Sequence, residues 1–155
     1  MKLKNIIRQT CVARPGMTVR ECFAACLQDG IPGIPYIDAN GNIAGSFSIR
    51  ETLRRACIPD VMVNYADLLG DSAGCLQIPE EHARKVLDLP IEPFIKERKA
   101  EISPETAVAK VVALMERHKA NYLFVTDNSH YLGIVTIWAI AQRMLEIDSC
   151  QNPTH

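Results

Sequence analysis

The sequence predicts an α/β protein built from two copies of one β-α-β-β-α unit, with a helical insert between them. The first observation is an apolar helix face with i, i+3, i+4 and i+7 spacing. It begins at Val19 and again at Val108, 89 residues later. The second is a short buried-strand pattern that ends in aspartate, at residues 34–38 and 123–127. One copy of about fifty residues is too small to bury both faces of its sheet, so we expect the copies to pack together.

Each copy starts with the same order of signals. A short apolar lead-in is followed by a strand and a proline, and a threonine then lies near the predicted start of the first helix. These signals are residues 5–7, Pro15 and Thr18 in the first copy, and residues 93–95, Pro104 and Thr106 in the second.

The end of each copy is predicted to be a hairpin whose second strand leads into another helix. The Asn-Gly pair at 40–41 is a strong hairpin signal, and residues 128–130 are a weaker one. A serine or threonine stands at each expected helix N-cap. The N-cap and approximate last residue are Ser48 and Ala56 in the first copy, and Thr136 and Leu145 in the second.

The segment at 57–90 belongs to neither copy. One helix-like stretch is predicted from Pro59 to Gly70, a loop at 71–74, and a second helix from Pro79 to about Leu89. The apolar face of the first stretch comprises Val61, Met62, Tyr65, Leu68 and Leu69. The predicted domain boundaries are 1–56 for the first copy, 57–90 for the insert, 91–146 for the second copy and 147–155 for a tail.

The composition excludes several classes of protein. Lys and Arg number 17 against 18 Asp and Glu, so no basic surplus predicts binding to nucleic acid. No apolar run approaches the ~18 residues that a membrane helix needs, and the first residues do not form a secretion signal. We therefore expect a cytoplasmic protein without membrane insertion, whose cysteines are reduced.

The repeated motifs resemble the cystathionine-β-synthase (CBS) domain, and the pair of copies resembles a Bateman module. The apolar-Pro-apolar-apolar-Asp run at 34–38 matches the family pattern, as does the Gly-to-acid stretch at 45–51. In the second copy Phe124 replaces the proline, the stretch at 133–136 fits, and Ala139 stands at the acidic position. The insert is longer than the usual linker of such pairs.

The resemblance implies two repeats packed about a pseudo-twofold axis, two clefts that hold adenosine-containing ligands, and a homodimer. It implies a regulatory module that requires no cofactor and is not an enzyme. AMP, ADP or ATP is the expected regulatory ligand, AMP before ATP. Binding is expected to shift the relative angle of the repeats, and a partner such as a transporter or a metabolic enzyme is expected to respond.

The first cleft is the stronger candidate. Ser48 begins a helix whose free N–H groups favour a phosphate, and Arg50 lies beside it. Glu51 stands where the family's acid binds the ribose diol. The simpler interpretation is that Ser48 only caps, Glu51 only complements the helix dipole, and the arginines form a solvated face. The remaining candidate ligand contacts are Gly45, Ile34, Pro35, Thr10 and Val12.

The second cleft is weaker, because Ala139 cannot bind a ribose. Thr136 can still cap its helix and contact phosphate, and Trp138 can stack on a base or pack against a neighbour. We expect this cleft to be empty or to take another kind of ligand. Its other candidate lining residues are Gly133, Tyr122, Leu123 and Ile102.

Two alternatives remain open, and catalysis is not among them. The sequence contains no G-x-S-x-G, H-E-x-x-H or Walker-type motif, and His82, His118, His130 and His155 are expected at the surface. The main alternative is a ligand-independent dimerisation or interaction scaffold that uses the insert. The remote one is a thiol redox sensor at Cys22 and Cys26, which core packing explains more simply.

Overall fold

The structure is a computed structural model that describes residues 1–71, 77–97 and 100–151. Most of the loop predicted at 71–74, Cys75, and the end of the predicted tail with His155 lie outside the described residues.

The predicted α/β fold is confirmed. Helices and strands alternate in the expected order, and short 3-10 helices lie among the described residues at Leu3–Asn5, Ala66–Leu68 and Glu92–Phe94. The first half contains α1 (Val19–Asp29), β1 (Gly33–Ile37), β2 (Ile43–Ser48), α2 (Ile49–Cys57), α3 (Asp60–Asn64) and α4 (Glu80–Leu87). The second half contains β3 (Glu101–Ile102), α5 (Val108–His118), β4 (Tyr122–Asp127), β5 (His130–Thr136) and α6 (Ile137–Gln151).

One compact unit comprises Met1–Thr10, Gly41–Ile43 and Arg98–His155. Its sheet has the order β3-β4-β5, with β3 parallel and β5 antiparallel to β4. Successive side chains along β4 and β5 point to opposite faces of the sheet. The apolar side chains that face the helices pack with them in a continuous core. That core comprises Leu3, Ile6, Ile102, Val111, Met115, Leu123, Val125, Val135 and Ile140.

The other compact unit comprises Cys11–Asn40 and Ala44–Glu97. Its sheet pairs β1 with β2, and Ala13 forms a parallel bridge to Tyr36 of β1. The rings of Phe23 and Phe47 pack with their centroids 6.0 Å apart. Both α1 and α2 contact α4, and Val86 of α4 is buried. The second helix of the insert is therefore part of this unit's packing.

The lead-in segments pair with the opposite repeat. Arg8 and Ile134 exchange two backbone hydrogen bonds of 2.9 and 2.8 Å, and Ser46 and Lys96 exchange two of 2.9 and 3.0 Å. The residues around Arg8 thus extend the sheet of the second repeat, and those around Lys96 extend that of the first. The sequence analysis assigns residues 1–10 to the first copy and 91–97 to the second. The compact units divide the chain differently, and the repeat boundaries stay a prediction.

Several element ends differ from the predicted ones. α6 continues to Gln151 rather than to about Leu145. Thr18 caps α1 as expected. α5 instead begins after Ala107, and the Thr106 hydroxyl accepts from the amide of Ser103. The first insert helix ends at Asn64 and continues only as a 3-10 turn, since its side chains lack a buried surface to pack on.

Both predicted hairpins are present, and the tighter of the two turns lies at the weaker turn signal. β4 and β5 are joined by only two residues, Asn128 and Ser129, and both have positive φ, as a type I′ turn requires. The loop between β1 and β2 is longer, and Gly41 within it has φ +83°. Among the described residues, no helix has the length and apolar character that a membrane span requires.

Candidate functional site

The start of α2 is set by the strand before it. β2 alternates buried and exposed side chains, with Phe47 fully buried, and ends at Ser48 in an extended conformation. The Ser48 Oγ accepts a 3.1 Å hydrogen bond from the amide of Glu51, which is a helix N-cap. This bond uses one acceptor site of the hydroxyl, so its proton remains able to donate to an anion at the helix N-terminus.

Glu51 lies at the centre of a cationic cluster in the first turn of α2. Its side chain is only 7% exposed, yet three cations reach its carboxylate. Arg55 Nε donates to it at 2.6 Å, Lys96 Nζ at 2.9 Å and Arg54 Nη2 at 3.3 Å. A buried carboxylate is stable only with such compensation, so this cluster is part of the fold.

The same cations reach beyond Glu51. Arg54 also pairs with Asp60 at the start of α3 at 2.9 Å, and Arg55 donates to the backbone carbonyl of Pro93 at 2.7 Å. Lys96 itself lies on the lead-in segment that extends the sheet. The cluster therefore ties α2 to both the insert and the exchanged lead-in.

The electrostatic consequence is a strongly acidic carboxyl group. Burial by itself raises the pKa of Glu51, but hydrogen bonds from Lys96, Arg54 and Arg55 outweigh burial and lower the pKa to about 2. Glu51 is therefore ionised at neutral pH. A ribose diol that uses this carboxylate has to replace or share at least one of the three cations.

The other residues predicted for the first cleft are divided between the two compact units. Arg50 is exposed, whereas the side chains of Ile34 and Pro35 are fully buried and Val12 is partly buried. Thr10 belongs to the unit that holds the second repeat, where its hydroxyl bonds the Tyr131 hydroxyl at 2.5 Å. Their role in ligand binding stays a prediction.

Gly45 has a structural role that the sequence analysis missed. A Cβ built at Gly45 would lie 2.6 Å from the Lys96 carbonyl oxygen, and one built at Gly133 would lie 2.5 Å from the Arg8 carbonyl oxygen. Glycine is therefore required at both positions for the lead-in backbone to approach the sheet. The 88-residue spacing of the two glycines is the only sequence signal of this shared requirement.

The start of α6 repeats the cap but not the charged cluster. Thr136 Oγ1 accepts from the Ala139 amide at 3.1 Å, and Ala139 has no carboxylate to offer. Leu123 and Ile102 are buried in the core, and Tyr122 packs its ring on Phe124 at 5.7 Å. Trp138 is 72% exposed, so stacking on a base stays a prediction.

The thiols of α1 are poorly suited to redox sensing. Cys22 and Cys26 are fully buried, and burial is the main cause that raises the pKa of each thiol to about 12. Thiolates are the reactive species, so both side chains are unreactive at neutral pH. Among the described residues, no group of three or more His, Cys, Asp or Glu side chains could hold a metal ion.

Alkylation of the folded protein by iodoacetamide is therefore expected to label the exposed Cys150 and to leave Cys22 and Cys26 unmodified. Peptide mass spectrometry reads each site, and labelling in concentrated urea is the control that exposes all thiols. Alkylation of Cys22 at a rate near that of Cys150 would revive the thiol-sensor hypothesis.

Comparisons with known proteins fit this architecture. Residues 88–146 match the family model of the CBS domain. No curated protein sequence matches the chain significantly. The solved structures that match the chain include three that cover nearly all of it at low sequence identity. The CBS domain of a CBS domain-containing membrane protein from Sphaerobacter thermophilus is 20% identical, with 92% of this chain and 86% of that chain covered and a TM-score of 0.66.

The other two structures show the same fold. A putative acetoin utilization protein (AcuB) from Vibrio cholerae is 15% identical, with 100% of this chain and 98% of that chain covered and a TM-score of 0.70. CBSX2, solved in complex with AMP, is 15% identical, with 95% and 98% covered and a TM-score of 0.64. The resemblance to CBS domains is thus confirmed: residues 88–146 match the CBS domain family, and the chain has the fold of these structures.

Proposed function

We propose that this chain is a regulatory module that binds an adenine nucleotide and signals the binding to a partner protein by a conformational change. The observation that carries the proposal is the start of α2. There the Ser48 hydroxyl, the positive end of the α2 helix dipole and the exposed Arg50 lie within three residues of one another. These groups suit a phosphate. The amides of Ile49 and Glu51 already donate to the Pro32 carbonyl at 3.0 Å and to Ser48 Oγ at 3.1 Å, so they are not free for a ligand. CBSX2, whose fold is similar, was solved in complex with AMP, which supports an adenine ligand.

A monophosphate suits this site better than a triphosphate. Arg54 and Arg55 both pair with Glu51, whereas Arg50 is exposed at the start of the helix. One guanidinium and one helix N-terminus can compensate about two negative charges, as AMP carries, and not the larger charge of ATP. The proposal therefore places AMP before ATP.

Glu51 has two tasks in this proposal. Its carboxylate holds the cationic cluster together. It can also accept hydrogen bonds from a ribose diol if its longest ion pair, the one to Arg54, opens. Arg54 retains Asp60 as a partner when that happens. The proposal further includes a cytoplasmic homodimer and an effector protein such as a transporter or a metabolic enzyme.

AMP is expected to raise the midpoint of thermal unfolding by about 2–4 °C at one hundred times its dissociation constant, because it binds the folded state. The measurement is a thermal scan with AMP, ADP, ATP, S-adenosylmethionine and adenosine in turn. Arg50→Gln is expected to reduce the AMP shift strongly, because it removes the phosphate's guanidinium while leaving the helix intact.

Arg84→Gln is the matched control. Arg84 lies in the same unit and is 73% exposed, and its 3.4 Å pair with Glu80 contributes little to stability. It should leave the AMP shift unchanged. If millimolar concentrations of all five compounds leave the midpoint unchanged, nucleotide sensing is wrong for this chain.

An interaction scaffold is the second candidate function. The observation that favours it is the exposure of large apolar side chains on the insert, which the fold does not use. The two functions are compatible, because a nucleotide sensor also needs a surface that its partner recognises.

A further inference from the structure

The insert presents an apolar surface that its own unit leaves uncovered. Leu68 is 81% exposed and Val61 is 59% exposed, although both side chains are large and apolar. We call the group the insert surface, and it comprises Val61, Val63, Tyr65, Leu68, Leu69 and Ile78. Single exposed apolar residues are ordinary, but six within a stretch of 18 residues indicate a contact site.

The insert is anchored at both of its described ends. At one end, Asp60 pairs with Arg54 at 2.9 Å at the start of α3. At the other, α4 contacts α1 and α2 and buries Val86, and His82 bonds the Ala56 carbonyl at 2.6 Å. The described residues of the insert surface therefore lie between two contacts with the folded unit.

The charge of this segment selects the kind of partner. Residues 57–81 carry five carboxylates and no lysine or arginine. Asp60, Glu80 and Glu81 pair with cations just outside the segment, whereas Asp67 and Asp71 flank residues 68–70 in the sequence. An apolar surface that includes these two carboxylates favours a partner that combines apolar side chains with positive charge over an acidic one.

Two other occupants fit this charge poorly. A second copy of the chain would bring the same acidic segment, and its most exposed apolar helix, α6, carries Glu146 and Asp148 against Arg143. An anionic membrane would be repelled by the carboxylates. A basic amphipathic helix fits best, because one helix face can supply apolar anchors while lysines or arginines flank it.

We propose that the insert surface docks an amphipathic helix of a partner protein that carries lysine or arginine beside its apolar face. Leu68 is the central anchor because it is the most exposed apolar residue of the surface. Asp67 and Asp71 lie beside it in the sequence and supply the charge complementarity. The proposal does not depend on nucleotide binding.

The test uses the full chain and two synthetic helical peptides. Both peptides carry leucines at i, i+3, i+4 and i+7, and the polar face bears lysines in one and glutamates in the other. Calorimetric titration is expected to detect binding of the lysine peptide only. Raising the salt concentration from about 50 mM to about 500 mM should weaken binding, because exposed charges are screened.

Leu68→Ser is expected to weaken binding of the lysine peptide at least tenfold. The matched control is Leu27→Ser, since Leu27 is a leucine of similar exposure, 74%, on α1 of the same unit. This control should leave binding unchanged. Thermal midpoints of both variants verify that they fold like the wild type. Asp67→Lys should also weaken binding of the lysine peptide, which a purely apolar contact would not explain.

Several outcomes overturn the proposal. These are failure of the lysine peptide to bind at millimolar concentration, equal binding of both peptides, or equal effects of the two leucine substitutions. Sedimentation of the wild type and Leu68→Ser tests the second copy, because a dimer lost only in Leu68→Ser would make another copy the occupant. Binding to phosphatidylserine vesicles that Leu68→Ser abolishes would assign the surface to a membrane.

Discussion

Glu51→Gln is expected to lower the free energy of unfolding by about 2–3 kcal/mol at neutral pH. The substitution keeps the size of the side chain but removes the charge that three cations share and replaces one accepting oxygen with an NH2 group that donates. The depression of the Glu51 pKa from 4.5 to about 2 corresponds to an upper value of about 3 kcal/mol. The three cations are about 40% exposed, so solvent lowers the expected loss toward about 2 kcal/mol.

The pH dependence identifies the charge as the cause. A carboxyl group whose pKa is lower in the folded state binds its proton more readily in the unfolded state. The stabilisation from Glu51 is therefore complete above about pH 4.5 and is lost as the pH falls through about 2. Urea unfolding of wild type and Glu51→Gln should give curves that differ at neutral pH and converge across this acidic range.

Glu80→Gln is the control for this experiment. Glu80 pairs with Arg84 on α4, and both side chains are largely exposed, so the expected change is within about 0.5 kcal/mol. Equal midpoints for wild type and Glu51→Gln at neutral pH would show that the cluster does not stabilise the fold. If the variant folds and keeps the AMP shift, Glu51 is a structural residue and not a ribose ligand.

Gly45→Ala and Gly133→Ala are each expected to lower the free energy of unfolding by about 2–3 kcal/mol. At Gly45 the added Cβ would lie 2.6 Å from the Lys96 carbonyl oxygen and 2.7 Å from Ile95 Cγ2. At Gly133 it would lie 2.5 Å from the Arg8 carbonyl oxygen and 2.7 Å from Ile7 Cγ2. The main obstacle in each case is backbone that is held by two hydrogen bonds to the sheet, so it cannot move aside without breaking them.

Gly70→Ala separates this effect from a general cost of replacing glycine. A Cβ built at Gly70 meets no atom of the described residues within 4 Å, so we expect a change of no more than about 0.5 kcal/mol. Urea unfolding of the three alanine variants measures the comparison. Alanine variants at 45 and 133 that are as stable as the Gly70 variant would contradict the close approach of the lead-in segments.

The contacts at these glycines change how the repeated Gly motif is interpreted. By the family resemblance, Gly45 and Gly133 were candidate ligand contacts. The structure provides an independent reason for glycine at both positions, namely the approach of the lead-in backbone. A ligand effect of either alanine variant is therefore interpretable only when its stability has also been measured.

The sequence by itself was sufficient to predict the two-copy α/β architecture and the helix starts at Ser48 and Thr136. These features depend on local signals, because helix and strand periodicity and N-cap chemistry act over a few residues. Each local signal is weak by itself, but its recurrence 88 to 89 residues later supports the assignment in both copies. The insert helices were less predictable, since the apolar pattern from Val61 to Leu69 has the spacing of a packed face but is exposed.

Only the tertiary structure decided the exchange of the lead-ins and the partners of Glu51. Arg8 lies 126 residues from Ile134, and Lys96 lies 45 residues from Glu51, so no local pattern links either pair. The first contact forms because the backbone groups of an edge strand are stabilised by hydrogen-bond partners. The second forms because a buried carboxylate is stable only beside cations. Many segments of the chain offer such groups, and only packing determines which of them meet.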